Sequence, residues 1–275
     1  MNIVLFEPGE ELRPLPREDP RGSHLIQILK VVPGQSVRAG IVGGAEGTIE
    51  ITAVTPAAVV FVWRPGEPEV VQPEAALPGR PGREPGSRLL VLLGHPRPPV
   101  LRRLFKDLTT IGAAEILVAA GELTEKSYFD SKIWEPGALR GALIEGAAQG
   151  GTTRIPEVRR FYALRRAVEY LDNASSPGPG AGELRLLLDQ YAECPLFSLP
   201  SGCGRPSATT QTHRRGVLSV GPERGWTEAE RSSLLDAGFR AVGLGDRTLR
   251  TETAALVGAA YLRSLLRMEP VSGSE

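Results

Sequence analysis

A tandem near the C-terminus constrains this chain most. The apolar, β-branched run Val217–Val220 ends at Gly221-Pro222, and a second apolar run, Phe239–Leu244, ends at Gly245. A helix signal follows each. Thr227 is a natural N-cap with Glu230 three residues on, the spacing of a capping box, and that helix stops at Gly238. Gly225 allows a further turn or a close backbone approach. The second helix, Thr253–Arg267, carries Ala254, Leu256, Val257, Ala260, Leu262, Leu265 and Leu266 as a broad apolar stripe. Strand, glycine turn, helix, repeated, predicts parallel strands, and open α/β sheets bind ligands beyond the C-terminal ends of such strands. One such turn alone is more often structural than functional. Two in tandem, rich in Thr, Arg and Glu, favour a ligand site. Neither a Walker phosphate loop nor G-x-G-x-x-G after a strand is present, so ATP and classical dinucleotides lose support.

Upstream, a stretch from Pro65 to Ser87 is dense in Pro and Gly and reads as a linker. It divides the chain into residues 1–70, a linker at 71–87, and residues 88–270. The first part holds short strand signals at Ile3–Phe6, Ser36–Ile41, Gly47–Val54 and Ala58–Val62, with a brief helix at Gly22–Val31, and predicts a small β-barrel. The last part alternates: strand Leu89–Leu93, helix Val100–Ile111 stopping at Gly112, strand Glu115–Ala119, helix 135–150, an extended stretch at 155–160, helix Leu164–Leu171, loop Asn173–Gly182, strand Leu184–Leu188, and a flexible loop at 194–212. That alternation predicts an α/β fold with a mainly parallel sheet and helices on both faces.

Net charge is zero, with 32 basic and 32 acidic residues, which does not advertise a nucleic-acid binder. The distribution says more. Residues 1–84 hold 8 Lys+Arg against 11 Asp+Glu, leaving 24 against 21 in the remainder. There the cations cluster as Arg97, Arg102, Arg103 and Lys106; Arg154, Arg159, Arg160, Arg165 and Arg166; and Arg205, His213, Arg214 and Arg215. Each cluster alone reads as a solvated face, while three around one site leave phosphate binding open. Three His, two Cys and no C-x-x-C make a metal site improbable. Cys194 and Cys203 are bystanders, or pair if their loops approach. No apolar run has the roughly 20 residues of a membrane span, and Met1–Phe6 leads directly into acidic residues rather than a signal peptide. A soluble, cytoplasmic protein is expected, without a membrane partner.

The motifs Gly221-Pro222-Glu223 and Leu249-Arg250-Thr251-Glu252-Thr253-Ala254 resemble the last two signatures of the small-subunit (16S) ribosomal RNA uridine N3-methyltransferases, the RsmE family of knotted SPOUT enzymes. His24-Leu25, Ile28-Leu29-Lys30 and Pro33-Gly34-Gln35 are similar to that family's H-L-x-x-V-L-R-x-x-x-G-D element. Thr124-Glu125-Lys126-Ser127 is similar to its T-E-R-S stretch. Glu145, Ala147, Gln149 and Pro156 match its E-A-x-E-Q-x-x-R-x-x-x-P element. The chain departs from the family pattern at Asp107, Thr110, Ala148, Thr152 and Arg224.

The resemblance implies S-adenosylmethionine as cofactor, 16S ribosomal RNA or the small ribosomal subunit as partner, a PUA-like RNA-holding barrel at the N-terminus, a trefoil-knotted C-terminal domain and a homodimer. It places the adenosyl group at backbone near Val220-Gly221 and Leu244-Gly245, with Leu188, Leu249, Glu223, Gly225 and Thr253 alongside. Arg250 is the candidate catalytic residue, since it is always charged and follows an apolar residue in the cofactor turn; its alternative is an ion pair to Glu223 or Glu252. His24, Lys30, Arg154, Arg214 and Arg224 are the candidate RNA contacts, and His213 is an RNA contact or a bystander. A different class stays open: a non-catalytic RNA-binding protein of ribosome assembly with a degenerate methyltransferase fold.

Overall fold

The computed structural model describes residues 1–66, 88–174, 183–201 and 215–266. The expected linker at 71–87, with Cys203, Arg205, His213 and Arg214, lies outside the described residues. The chain divides into two compact units, Met1–Arg83 with Leu143–Ile155, and Glu84–Ala142 with Pro156–Glu275.

In the first unit, β1 (Val4–Phe6), β2 (Leu15–Pro16), α1 (Pro20–Gln27), β3 (Ser36–Ile41), β4 (Glu46–Val54) and β5 (Ala58–Pro65) follow in order. The strands form one sheet, β1-β3-β4-β5-β2. The β1–β3 pair is parallel and the other pairs are antiparallel. Phe6, Leu25, Ile49, Ile51 and Val59 form its core. Helix α1 starts with Pro at its first position and Asp19 as N-cap, whose carboxylate accepts the Arg21 N–H at 2.8 Å. The Arg21 guanidinium grips Asp19 and Glu10, each at 2.7 Å. Burial pushes the Asp19 carboxyl up, but the bonds from Arg21 outweigh it and its pKa falls below the ordinary value; Arg21 lowers Glu10 as well. The helix ends at Gln27, short of the expected Val31, because the chain turns at Lys30, which has φ +50°. Residues 143–155 supply a second apolar patch, in which Ala147 and Ala148 pack with Ile3, Leu5 and Val42.

The second unit contains β6 (Arg88–Gly94), α2 (Pro98–Ile111), β7 (Glu115–Ala119), the start of α3 (Pro136–Gly150), β8 (Glu157–Phe161), α4 (Leu164–Ala174), β9 (Glu183–Leu188), β10 (Arg215–Val220), α5 (Glu228–Asp236), β11 (Arg240–Val242) and α6 (Thr251–Leu265). Its six strands pair in parallel throughout, in the order β11-β9-β10-β6-β7-β8. Both faces are covered, which is why Leu89–Leu93 is continuously apolar and buried. One face, with Leu90, Leu92, Leu117, Leu187 and Val217, packs on Leu164, Ala167 and Leu171 of α4 and Leu234 of α5. The alternate residues face α6, where a Cβ on Gly258 would lie 2.9 Å from both Leu188 and Leu218. Helix α2 stops at Gly112, as expected, with φ +93°. Strand β11 is shorter than the expected run from Phe239 to Leu244: it is an edge strand paired only with β9, and Phe239 instead packs under α4 and α5. Inside the loop expected at 194–212, Leu196–Ser201 forms a 3-10 helix.

Candidate functional site

Three adjacent strands, β11, β9 and β10, bring most of the expected cofactor positions to one rim of the parallel sheet. Leu188 ends β9 and Val220 ends β10, while Leu244 follows β11 by two residues. The loops beyond them interlock through backbone bonds. Asp189 N–H donates to the Val242 carbonyl at 3.0 Å, Gly243 N–H to Cys194 at 2.9 Å, and Leu196 N–H to Gly243 at 2.8 Å. The Thr248 hydroxyl bonds Gln190 Oε1 at 3.1 Å. Asp189 anchors the set: its carboxylate takes the Tyr191 N–H at 2.9 Å and Arg231 Nε of α5 at 2.5 Å, and that bond raises the Arg231 pKa.

The turn after β11 is backbone laid open. Gly245 is exposed and sits at φ +113°, a conformation that L side chains rarely adopt, with nothing within 4 Å of where a Cβ would stand. The turn after β10 is tighter. Pro222 is buried against Gly94 at the end of β6, where an added Cβ would meet Pro222 Cδ at 2.3 Å. At Gly221 a Cβ would come within 3.0 Å of Gly225 Cα and Trp226 N. The expected capping box is present: Thr227 accepts from Glu230 N–H and Glu230 from Thr227 N–H. The buried Glu230 carboxylate also accepts the Glu122 N–H at 2.8 Å, which ties the loop after β7 to α5.

Arg250 is the N-cap residue of α6 and is exposed, and its side chain has no hydrogen bond or ion pair among the described residues. The alternative partners are engaged elsewhere. Glu252 pairs with Arg103 of α2 at 3.1 Å, and Glu223 accepts the Arg97 N–H at 3.0 Å. Leu249 is 38 % exposed, and Thr253 is exposed on the first turn of α6. Arg224 is exposed beside Glu223. The other expected RNA contacts belong to the first unit. Arg154 and Lys30 are exposed there, whereas His24 is half-buried with its Nε2 enclosed and unpartnered.

Sequence reasoning passed over His95. It directly follows β6 and is buried, 1 % exposed. Trp134 Nε1–H donates to its Nε2 at 3.0 Å, so Nε2 is bare and the ring's proton sits on Nδ1, 2.7 Å from the Pro96 carbonyl. Burial pushes its pKa down, so the ring is held neutral in one tautomer. Phe129, Tyr128 and Trp134 surround it with ring centroids at 4.6, 5.8 and 5.5 Å. The rule that singled out the ends of β10 and β11 applies equally to β6 and was the available signal. Among the described residues, no group of three His, Cys, Asp or Glu is placed to hold a metal ion.

The RNA methyltransferase domain family matches residues 83–263. A protein named ribosomal RNA small subunit methyltransferase E from Treponema pallidum is 33 % identical over 265 residues, covering 95 % of this chain and 90 % of that one. Ribosomal RNA small subunit methyltransferase E 1 of Borreliella burgdorferi is 29 % identical over 269 residues, covering 97 % and 99 %. Among solved structures, the fold is similar to ribosomal RNA small subunit methyltransferase E from Neisseria gonorrhoeae bound to S-adenosyl methionine, with a TM-score of 0.60, 20 % identity, and 96 % and 98 % coverage.

Proposed function

Because the chain belongs to the RNA methyltransferase family, alongside the ribosomal RNA small subunit methyltransferase E proteins, we propose that it transfers a methyl group from S-adenosylmethionine to N3 of a uridine in 16S ribosomal RNA. The observation that carries this reading is the open glycine turn at Gly245, on the same rim as the closed turn at Gly221-Pro222 and five residues before Arg250, whose guanidinium is unpaired among the described residues. An adenosyl group fits such a place: the exposed backbone supplies N–H and C=O groups to a base and ribose, and Leu188, Leu244 and Leu249 supply apolar edges. When bound, the cofactor supplies an electrophilic methyl on a sulfonium and departs as the neutral thioether.

Arg250 holds the uracil oxygen on which negative charge grows as N3 releases its proton to water, the kind of preorganised stabilisation that lowers such barriers. Glu223 and Glu252 are not the proton acceptors in this scheme, since Arg97 and Arg103 occupy them. They fix the turns instead. The target base has to leave its stack to reach the rim.

The domain assignment belongs to the same proposal: residues 1–70 as a PUA-like, RNA-holding barrel, 71–87 as a linker, and 88–270 as a knotted methyltransferase domain. The insertion of β10 between β9 and β6 supports the threaded topology. A homodimer through α6 is supported by its solvent face, where Val257 is 36 % exposed and Tyr261 packs on Phe197, itself 58 % exposed. Among the described residues no helix is long and apolar enough to cross a membrane, and we place the protein in the cytoplasm with its ribosomal substrate.

Calorimetry with S-adenosylmethionine, combined with methyl transfer to small subunits from cells lacking the gene, tests the reading. Binding at micromolar level or tighter, on the order of −8 kcal/mol, with transfer to one uridine is expected. Ribosomal RNA binding without cofactor binding returns the chain to the class of inert assembly proteins.

A further inference from the structure

The second Arg cluster finds no use in the cofactor turns. Apart from Arg154, which belongs to the first unit, its members Arg159, Arg160, Arg165 and Arg166 lie at the opposite half of the same rim, around the end of β8. Arg159 is spent on Glu115 and Glu157, at 2.9 and 2.8 Å. Among the described residues Arg160 is not paired with a carboxylate. It donates to the Phe129 carbonyl at 2.9 Å and lies over the rings of Trp134 and Tyr162, at 5.0 and 5.3 Å. Tyr162 is backed by Phe129, with centroids 5.0 Å apart, yet is 69 % exposed. The phenol is thus packed against a ring and a guanidinium, with most of its surface open.

Tyr162 and Ala163 stand between two hollows. One, about 530 Å³, is lined by Arg160, Tyr162 and Arg166 among others. Its neighbour, about 380 Å³, runs past Gly121 and Glu122 to Glu230 of α5. Arg165 and Arg166 share the single carboxylate of Glu169. The first hollow is therefore lined by two guanidiniums, Arg160 and Arg166, and by no carboxylate, a local positive charge suited to a phosphate, whereas Glu122 and Glu230 give the second an acidic wall.

We propose that Tyr162 is a stacking shelf for an unpaired base of the RNA strand flanking the modified uridine, with Arg160 and Arg166 holding its phosphates. The proposal rests on the methyltransferase reading for the identity of that strand. A propped, exposed aromatic accepts any base through its π-face, and adjacent cations track the backbone. From β10 to β8 the rim crosses three strand spacings, about 14 Å, which a few nucleotides of single strand bridge. A folded RNA laid along the rim would then be held open on one side while its target base enters on the other.

The full chain is titrated with a short fluorescein-labelled oligouridine and with a duplex RNA of matching length, and methyl transfer to unmodified small subunits is followed in parallel. Tyr162→Ala is expected to weaken oligouridine binding about 10-fold, Tyr162→Trp to preserve it, and Arg166→Ala to reduce the salt slope by about one counterion. Binding of S-adenosylmethionine stays unchanged in all three. Wild-type affinity for oligouridine in Tyr162→Ala, loss of affinity in Tyr162→Trp, or a KM for subunits that Tyr162→Ala does not move overturns the shelf. A chain that binds oligouridine through Tyr162 but transfers no methyl supports the shelf and overturns the enzyme reading instead.

Discussion

The two halves of the parallel sheet's C-terminal rim are built from different materials. Beyond β11, β9 and β10 the surface is mostly main chain: glycine turns, interlocked loops, and carboxylates already matched to arginines. Beyond β6, β7 and β8 it is mostly side chain: a buried histidine, four aromatic rings and a guanidinium stacked among them. Main chain presented by a sheet is fixed by ladder bonds and suits one small ligand of constant shape. Rings and guanidiniums on a rim tolerate many sequences and suit a polymer. On the proposed reading, one edge therefore divides into a place for a constant molecule and a place for a variable one.

The largest expected effect breaks the first half alone. Gly245→Val forces a β-branched residue to φ +113°; it should weaken S-adenosylmethionine binding about 100-fold or more, through backbone strain and a side chain in the adenosyl space. Titration calorimetry reads it, and oligouridine binding should not change. If Tyr162→Ala abolished cofactor binding as well, the division of the rim would be wrong.

Next in size, Arg250→Ala should lower the rate of methyl transfer about 100-fold while leaving cofactor affinity within a few-fold. Normal turnover in single-turnover assays would reassign Arg250 to a bystander. Smaller still, Arg154→Ala in the first unit should weaken RNA binding modestly and flatten its salt dependence by about one unit. An unchanged salt slope removes it from the RNA surface.

The smallest effect concerns His95. Burial holds its pKa below the ordinary 6.5, so the unfolded chain takes up a proton first as the pH falls. Stability is full above 6.5 and declines as the pH drops toward the folded value. His95→Gln, which keeps an acceptor for Trp134, should flatten that decline in melting temperature between neutral pH and about one unit below 6.5. His24 is shifted the same way by desolvation, so part of the slope survives the substitution. Identical slopes in both proteins would mean that His95 does not report on the folded rim.

What was legible in the sequence was local. The capping box at Thr227 and Glu230, the stop at Gly112 and the strand at Glu115–Ala119 follow from side-chain spacing and turn chemistry within a few residues, and each is present. The pairing of strands was not legible. Nothing within Val217–Val220 says that it lies between Leu184–Leu188 and Leu89–Leu93, because that depends on partners far from it in the chain, Leu186 and Val91 opposite Leu218. For the same reason His95 was silent: its partner Trp134 is 39 residues away, in a loop of 3-10 turns without a periodic signal. The glycines of the candidate site were legible as turns, but Arg250's freedom depended on Arg97 and Arg103 taking the nearby carboxylates.

The position of β10 has a consequence for how the chain is made. A ribosome releases β6, β7, β8 and β9 before the strand that joins β6 to β9 exists. At roughly 5–20 residues per second, the stretch from Leu188 to Val220 takes about 2–6 s, during which β6-β7-β8 and the lone β9, whose other neighbour β11 comes later still, each present an open hydrogen-bonding edge. Those two edges, on β6 and β9, are buried in the finished fold and are the surfaces that invite wrong partners during synthesis. Late completion by a central strand makes C-terminal truncation before Val220 more damaging to this sheet than loss of the first sixty residues.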